Sequence, residues 1–478
     1  MAAGSFLFEN KLRPGCYIQI KGVPSASSNM SERGTVVVLM NADSGGLVTE
    51  ISANDILTGG SAAKGFPLGM FTDQESPLYY AYPYVNKIVI GRLNYGGTKA
   101  SVTVLDDGSD PTLTATAKYT GTFGNKLSVI IVAEASGEGK YKGQGFFVRT
   151  SVDGEVVDEQ NVKLPSELKD NNYLSFIKAE SLAALAAVAA KDLAGGTNGT
   201  ESDTNLANIQ NKLTGMSWNT LAFCGKDENR VVVETFIKHL REDKGKYRQG
   251  VVYNRSAADY EGIISPFQAF AIEGDDLDFL ENEQSVAEDE TRRQQMLALR
   301  QKFAVAYVAA LTAGSDVNVS NTYAPVPANV IEVIPAPDED EDVENDLKAG
   351  LLTFTHNSEN EIVIEKDINT LHTYTQERTK PFSKNRVIRT LDELSNTKVR
   401  VWETMFVGKI DNNVTGRNLL KSQIMKILDD LAKVGALNSS DSTVIVEPGN
   451  DVDQVRSYEQ VRVIDAMEQI YSYVTVLG

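Results

Sequence analysis

The chain has 478 residues, of which 42% are hydrophobic and 23% are charged, and its formal net charge at pH 7 is −19. This composition excludes a disordered protein, and the length predicts roughly two to four domains. The acidic charge argues against nucleic acid as a direct partner, because neutralising phosphates requires a basic surface.

No targeting or membrane segment is evident. The N-terminus lacks a basic stretch followed by a long apolar one, and the longest apolar helical pattern, Ser181 to Ala190, is about half of a membrane span. Cys16 and Cys224 lie far apart in apolar, strand-like contexts, which indicates reduced, buried thiols rather than a disulfide framework. We therefore expect a protein made and kept in the cytosol, without stable membrane insertion.

The first part of the chain is predicted to be an arm followed by an α/β layer. In residues 1–25 the letters PGCYIQIKGVP alternate apolar and polar side chains between two prolines, which indicates a short strand. Thr35–Met40 is a continuous apolar run that suits a strand covered on both faces, and Ile88 to Leu93 is predicted to be a neighbouring strand. Residues 26–99 therefore form the first part of a predicted α/β domain.

A β-rich insertion follows in residues 100–199, where Thr, Val and Gly are frequent. The letters VDGEV predict a tight hairpin through Asp153 and Gly154. The segment Gly195 to Thr204, GGTNGTESDT, is predicted to be a flexible exit from this domain.

The α/β pattern resumes in residues 200–345. WNTLAFCG and YRQGVVYN predict strands, DENRVVVETFIKHLRED predicts a helix, and a long helix is expected within Glu283 to Thr312. The acidic run Asp338 to Asp342 lacks the spacing of a calcium-binding loop. It suits the start of a helix, which Gly350 would close.

The last module, residues 346–469, is predicted to be α+β. It begins with a hairpin that turns at Asn357 to Asn360, continues with a helix over NLLKSQIMKILDDLAKVGAL, and ends with the strands STVIVEPG and QVRVID. A final strand, residues 470–478, closes the sequence without a turn. A terminal strand needs a partner edge, which either this chain or another molecule must supply.

The net charge reverses locally. From Lys366 to Lys433 there are 13 Lys and Arg against 8 Asp and Glu. Such a basic module could contact an acidic partner, although an ordinary solvated surface also shows fluctuations of this size. Arg417, Lys421 and Lys426, near one predicted helix, are the candidate contact residues.

The residues that catalysis or metal binding would need are scarce. The chain has three histidines and no Cys/His cluster spaced for zinc. It has no G-x-S-x-G element, no phosphate-binding loop of the G-x-x-x-x-G-K-[ST] type and no G-x-G-x-x-G fingerprint. We expect no catalytic, metal-binding or cofactor-binding residues, and therefore a structural or binding protein rather than an enzyme.

An ordered set of motifs spans nearly the whole chain. The motifs are RPGCYIQI, RLNYGGTKAS, YTGTFGNKLSV, LAGGTNG, DLKAGLLTF, DINTL, NRVIRTLD, VGKIDNN and DAMEQIY. In this content and order the sequence closely resembles contractile tail sheath proteins of bacteriophages and phage-tail-like particles, in the style of phages of low-GC Gram-positive hosts.

The resemblance implies a subtilisin-like α/β middle domain without its catalytic triad, an inserted β-rich domain, a C-terminal domain facing the tail tube, and exchanged terminal strands. The arm residues that would contact neighbouring subunits are Tyr17, Ile18, Gln19, Ile20, Ile470, Tyr471, Tyr473, Val474 and Val476. It also implies stacked homo-hexameric rings in a virion tail, assembled in the host cytoplasm. The implied partners are the tail tube, baseplate and tail terminator proteins, and contraction would drive the tube through the host cell envelope.

Two other classes of function remain open at this point. A virion surface-binding module, or adhesin, would use the inserted β-rich domain as its binding surface. A hydrolase on the subtilisin-like layer would need a nucleophile that the sequence does not reveal.

Overall fold

The computed structural model describes residues 33–105, 111–135, 137–178, 185–254, 258–336 and 340–476. The described chain divides into two compact units, one of residues 397–462 and one of residues 33–396 together with 463–476. We call them the small unit and the large unit, and each is described by itself.

Within these ranges the strands are β1 (Thr35–Met40), β2 (Val48–Ser52), β3 (Lys87–Arg92), β4 (Ser101–Leu105), β5 (Pro111–Ala117), β6 (Leu127–Ala133), β7 (Phe146–Val152), β8 (Glu155–Val162), β9 (Leu174–Lys178), β10 (Val188–Asp192), β11 (Thr220–Phe223), β12 (Gln249–Val251), β13 (Ile263–Ile264), β14 (Ala269–Ile272), β15 (Val330–Ile334), β16 (Phe354–His356), β17 (Ile362–Ile364), β18 (Leu437–Pro448) and β19 (Val455–Val463). The α-helices are α1 (Ala53–Leu57), α2 (Gly69–Thr72), α3 (Pro77–Ala81), α4 (Asp203–Gly215), α5 (Arg230–Glu242), α6 (Leu277–Glu281), α7 (Ala287–Gly314), α8 (Asp340–Lys348), α9 (Asn385–Val401) and α10 (Val414–Lys433).

A six-stranded sheet forms the centre of the large unit, in the order β13-β12-β11-β1-β3-β2. All its pairs are parallel except β2 with β3. Because side chains alternate along a strand, β1 sends Val36 and Val38 into one core and Val37 and Leu39 into another. The first core contains α7, and the second contains α4 and α5. The prediction of an α/β layer whose strands are covered on both faces is confirmed.

The long helix α7 is buried on all sides in its second half. Every residue from Phe303 to Ala310 is buried, whereas its first turn carries Glu288, Asp289 and Glu290. The ring of Phe303 stacks on Tyr80 with centroids 4.6 Å apart. A helix that is apolar all round must lie inside a protein, and here it anchors the central sheet.

The inserted segment forms a β-sandwich. Its sheets have the orders β10-β6-β7-β8 and β4-β5-β9, and they share one apolar core. At the turn between β7 and β8, Asp153 and Gly154 both have positive φ, at 50° and 90°. Positive φ at both central residues is the requirement of a type I′ hairpin, so the predicted turn is confirmed.

The predicted flexible exit is instead pinned by hydrogen bonds. Arg92 is fully buried at the end of β3, and its guanidinium donates to the carbonyls of Gly45 at 3.1 Å and Thr120 at 2.7 Å. It also donates to Oδ1 of Asn198 at 3.0 Å, and Nδ2 of Asn198 donates to Asp43 at 2.8 Å. The exit is therefore tied both to the central sheet and to the sandwich.

The predicted helical pattern Ser181 to Ala190 is wrong where the structure describes it. Residues 179–184 lie outside the described ranges, but Val188–Asp192 is strand β10, which pairs antiparallel with β6. Alanine-rich sequence favours a helix only weakly, and pairing with the open edge of β6 overrides that preference.

Other predictions for the large unit are confirmed. Gly350 has φ of 77° after α8, and a Cβ there would lie 2.6 Å from the carbonyl of Thr370, so only glycine fits. Strands β16 and β17 pair around the Asn357 to Asn360 turn. Of the two cysteines, Cys224 is buried, and Cys16 lies outside the described residues.

The small unit contains one long helix and one two-stranded sheet. Helix α10 buries Ile424, Ile427, Leu428 and Leu431, as its apolar spacing predicts. A five-residue π-helical turn, Trp402–Phe406, follows α9, and β18 pairs with β19.

A buried ion pair lies at the edge of the large unit. Arg389 Nη2 lies 3.0 Å from Asp367 Oδ2, and the two side chains are 1% and 2% exposed. Asp367 Oδ2 also accepts the backbone N–H of Asn321 at 3.0 Å. Removing one partner of such a pair leaves the other charge buried without compensation.

We predict that Asp367→Asn lowers the free energy of unfolding by about 3 kcal/mol or more, because Arg389 keeps its charge without a counter-ion. Chemical denaturation of the purified chain measures this change. The control is Glu344→Gln, which breaks the exposed Glu344–Lys348 pair and should change stability by less than about 0.5 kcal/mol. Equal effects of the two substitutions would contradict the prediction.

Candidate functional site

The described end of the chain, residues 470–476, projects from the large unit and is called the C-terminal arm. Ile470, Tyr471, Tyr473, Val474 and Val476 are between 77% and 94% exposed. Residues 464–476 have no regular secondary structure in the single chain, so the predicted final strand is unpaired there. Five large exposed apolar side chains in one short segment are typical of a surface that binds another protein.

The N-terminal counterpart cannot be placed. Tyr17, Ile18, Gln19 and Ile20 lie outside the described residues, so their contact role stays a prediction.

An open strand pair lies in the small unit. Strands β18 and β19 pair only with each other among the described strands, and each keeps one unpaired edge. Ile445 and Tyr458 on this ribbon are each 53% exposed. A two-stranded ribbon is marginally stable by itself, and its free edges can accept further strands.

The three basic candidates do not share one face of α10. With about 100° per residue, Arg417 and Lys421 are about 40° apart around the helix, whereas Arg417 and Lys426 are about 180° apart. Arg417 is half-buried and donates to Oδ1 of Asn412 at 2.9 Å, and the two lysines are exposed. Their proposed contact with an acidic partner stays a prediction, but they cannot act as a single patch.

The excess of Lys and Arg between residues 366 and 433 does not form a basic surface on either unit. Residues 397–462 contain nine Lys and Arg and nine Asp and Glu, so this part of the chain is neutral. In the large unit, Arg389, Lys384 and Arg378 lie beside carboxylates within hydrogen-bonding or ion-pair distance. Several of the basic residues that cause the local charge reversal are therefore paired with carboxylates within the fold.

A groove of about 520 Å³, which the sequence analysis did not predict, opens on the small unit. Its apolar lining includes Trp402, Phe406, Ile410, Leu420 and Val455. The signal in the sequence that could have predicted this groove is the pair Trp402 and Phe406, two large aromatic residues four positions apart after α9. Nearby Val407 is 68% exposed, which makes the rim of the groove apolar as well.

Each of the three histidines lies beside a different carboxylate. His239 lies 2.7 Å from Asp243, His356 lies 3.7 Å from Glu332, and His372 lies 3.5 Å from Asp259. These pairs belong to separate parts of the large unit.

The buried cysteine and the described residues that could ligate a metal are further candidates for a functional site. Burial raises the pKa of Cys224 to about 12, so this thiol stays protonated at neutral pH. No group of three or more His, Cys, Asp or Glu among the described residues could hold a metal ion. None of the described helices is long and apolar enough to span a bilayer.

Three family models match consecutive parts of the chain. Residues 95–198 match the phage tail sheath protein beta-sandwich domain, residues 199–370 match the phage tail sheath protein central domain, and residues 377–476 match the phage tail sheath C-terminal domain. The first match coincides with the sandwich seen in the structure.

Individual proteins are similar over the full length. The phage-like element PBSX protein XkdK of Bacillus subtilis (strain 168) is 27% identical, and the match covers 100% of each chain. The solved sheath tail protein of Desulfitobacterium hafniense is 29% identical with a TM-score of 0.71, covering 94% of this chain and 100% of that one. The sheath tail protein of Listeria innocua is 24% identical with a TM-score of 0.69, covering 91% and 93%, and shows the same fold.

We predict that limited chymotrypsin digestion of the unassembled chain removes residues after Tyr471 and Tyr473, because these side chains are 77% and 94% exposed in a segment without secondary structure. Mass spectrometry of the intact chain identifies the truncated products. The double variant Tyr471→Ser, Tyr473→Ser is the control and should keep its C-terminus. Resistance of the unsubstituted chain would show that the arm is covered in solution.

Proposed function

Because the chain belongs to the phage tail sheath protein family, we propose that it polymerises as six-fold helical rings around a tail tube and contracts to drive that tube through a host cell envelope. Tail sheath proteins are structural components of contractile injection systems. The proposal places this protein in a virion tail or tail-like particle that is assembled in the host cytoplasm.

One observation carries the proposal. The chain combines an exposed strand-forming arm with an open two-stranded ribbon, β18–β19, and neither has a strand partner among the described residues. A donor strand and an acceptor edge on the same chain let identical copies link in series. We infer that the C-terminal arm pairs with the ribbon of a neighbouring subunit, and that Tyr17, Ile18, Gln19 and Ile20 add a second strand.

Strand exchange suits a polymer that changes shape. Each backbone hydrogen bond contributes only about 1 kcal/mol net, so one junction is weak. Many junctions in a ring and between rings make the mesh durable, while a short peptide link still lets the bodies reorient. Contraction in this picture needs no nucleotide, because the extended sheath is a metastable state whose collapse releases free energy.

The proposed domain plan assigns the work to different parts. In this plan the central layer, whose six strands have the order β13-β12-β11-β1-β3-β2, would have a subtilisin-like topology without a catalytic triad, and the protein would act as a structural subunit rather than an enzyme. The boundaries proposed from the sequence, with residues 100–199 as the insertion and 346–469 as the tube-facing domain, remain part of the proposal.

Partners other than the chain itself are also proposals. The tail tube would contact the C-terminal domain through Arg417, Lys421 or Lys426, and the apolar groove beside Trp402 offers a second surface. A baseplate and a tail terminator would bind the two ends of the sheath.

We predict that Val474→Pro abolishes tube formation or raises the protein concentration that it requires at least tenfold. Proline removes the backbone N–H at this position and cannot continue a paired strand. The monomer should stay folded, because Val474 is 83% exposed and lies in a segment without secondary structure. Negative-stain microscopy over a concentration series measures assembly, and circular dichroism checks the fold.

The matched control for this experiment is Val474→Thr, which keeps the N–H and the β-branched shape and should assemble like the unsubstituted chain. Deleting residues 470–478 should reproduce the proline result. Unimpaired tubes from the deletion variant would refute the arm model.

A further inference from the structure

The segment before the C-terminal arm is anchored, although it has no regular secondary structure. Glu468 lies against the large unit with a side chain that is only 10% exposed, whereas its neighbour Met467 is 90% exposed. The carboxylate of Glu468 accepts hydrogen bonds from Nζ of Lys384 and, at 3.0 Å, from Oγ1 of Thr322. Asp465 adds a second carboxylate 3.6 Å from Nζ of Lys384.

The surface that receives these carboxylates is strongly cationic. Lys366, Lys384 and Arg386, which with Thr322 we call the anchor pocket, lie beside Arg389 and the more exposed Lys380. The pKa of Lys366 is lowered by burial and by the nearby charges of Lys384 and Lys380, while Glu468 and Asp465 act in the opposite direction.

Arg386 in this pocket is 8% exposed, and its Nε has no hydrogen-bond partner among the described residues. The carboxylate of Asp367, which follows Lys366 in the sequence, is paired with Arg389 in the core. Clustered, partly buried cations are costly unless carboxylates approach them, and the tail supplies two.

A continuous chain of contacts leads from the tail into the core. Thr322 donates its hydroxyl hydrogen to Glu468, and the same oxygen accepts the backbone N–H of Asp367 at 3.0 Å. The tail is thus fastened to the same network that holds the buried Arg389–Asp367 pair, rather than to a mobile surface side chain.

We propose that the anchor pocket is a dedicated binding site for Asp465 and Glu468 of the chain's own C-terminal segment, and that it fixes the origin of the arm at Glu468. This inference rests on the proposed function, since it explains how a strand without structure of its own is presented to a second copy of this chain.

The anchor limits where that second copy lies. Eight described residues, 469–476, follow Glu468, and because a fully extended chain spans about 3.3–3.6 Å per residue they reach about 26–29 Å. Without the anchor, the thirteen described residues 464–476 after β19 would be free of this attachment. A shorter free segment raises the effective concentration of the arm at the neighbour's edge.

The first test uses the unassembled chain and does not depend on tubes. In the double variant Asp465→Asn, Glu468→Gln we expect amide hydrogen exchange over residues 463–468 to accelerate tenfold or more, measured by mass spectrometry. Glu447→Gln, on an exposed position of β18, is the control for loss of a carboxylate and should leave this region unchanged. Unchanged exchange in the double variant would overturn the anchor, whatever the protein assembles into.

The second test asks whether the pair is specific. Lys384→Glu alone should accelerate exchange over 463–468, and adding Glu468→Lys should restore at least threefold protection, because the charges are exchanged across the same contact. If the second substitution gives no restoration, Lys384 and Glu468 are not partners and the proposal fails.

The third test links the anchor to assembly. The Asp465→Asn, Glu468→Gln variant should need a concentration at least twofold higher than the unsubstituted chain to form tubes. If exchange accelerates but the tubes form equally well, the anchor does not present the arm and that part of the proposal is overturned. If the unsubstituted chain forms no tubes, the proposed function fails, while the exchange experiment still decides whether the anchor exists.

Discussion

Unpaired backbone hydrogen-bonding groups are the constraint on which this structure depends. Nearly every buried N–H and C=O in a folded protein has a partner, so a strand-forming segment left in water is complete only when another edge meets it. Among the described residues the C-terminal arm is exposed and the β18–β19 ribbon has open edges, and in the proposed function these two act as donor and acceptor. Isolated chains with open edges tend to aggregate, and a repeating, directed pairing turns that tendency into a polymer.

The proposed contraction would transmit force through folded bodies that keep their shape. In the large unit, Arg92 ties the sandwich linkers to the central sheet, and Arg241 forms a bidentate pair with Asp392 at 2.7 and 2.9 Å. Both arginines are buried, so water does not compete for these bonds. These contacts hold the inserted sandwich and the middle of α9 to the central layer, whereas the side chains of the C-terminal arm are exposed.

Several charged residues of this chain form ion pairs within the fold and do not contribute to a charged surface. The basic stretch around α9 looks like a contact surface for an acidic partner when the sequence is counted in a line. In the fold its members face Asp367, Glu468 and Glu261, and the small unit taken alone is neutral. A count of charges along a sequence cannot distinguish cations that face water from cations that neutralise distant carboxylates, because the partners lie far away in the chain.

The sequence by itself determined the elements whose pattern is local. Val36 to Met40 are all apolar, so Thr35–Met40 becomes a strand covered on both faces. Gly350 ends a helix at a position where only glycine fits, and the ordered motifs indicate the family. The tertiary structure alone decided that Val188–Asp192 pairs with β6, that Asn198 pins the sandwich linker, and that Glu468 docks against Lys384, 84 residues earlier. The physical reason is the range of each effect: periodicity and backbone sterics act within a few residues, whereas edge pairing and charge compensation depend on which distant segments the fold brings together.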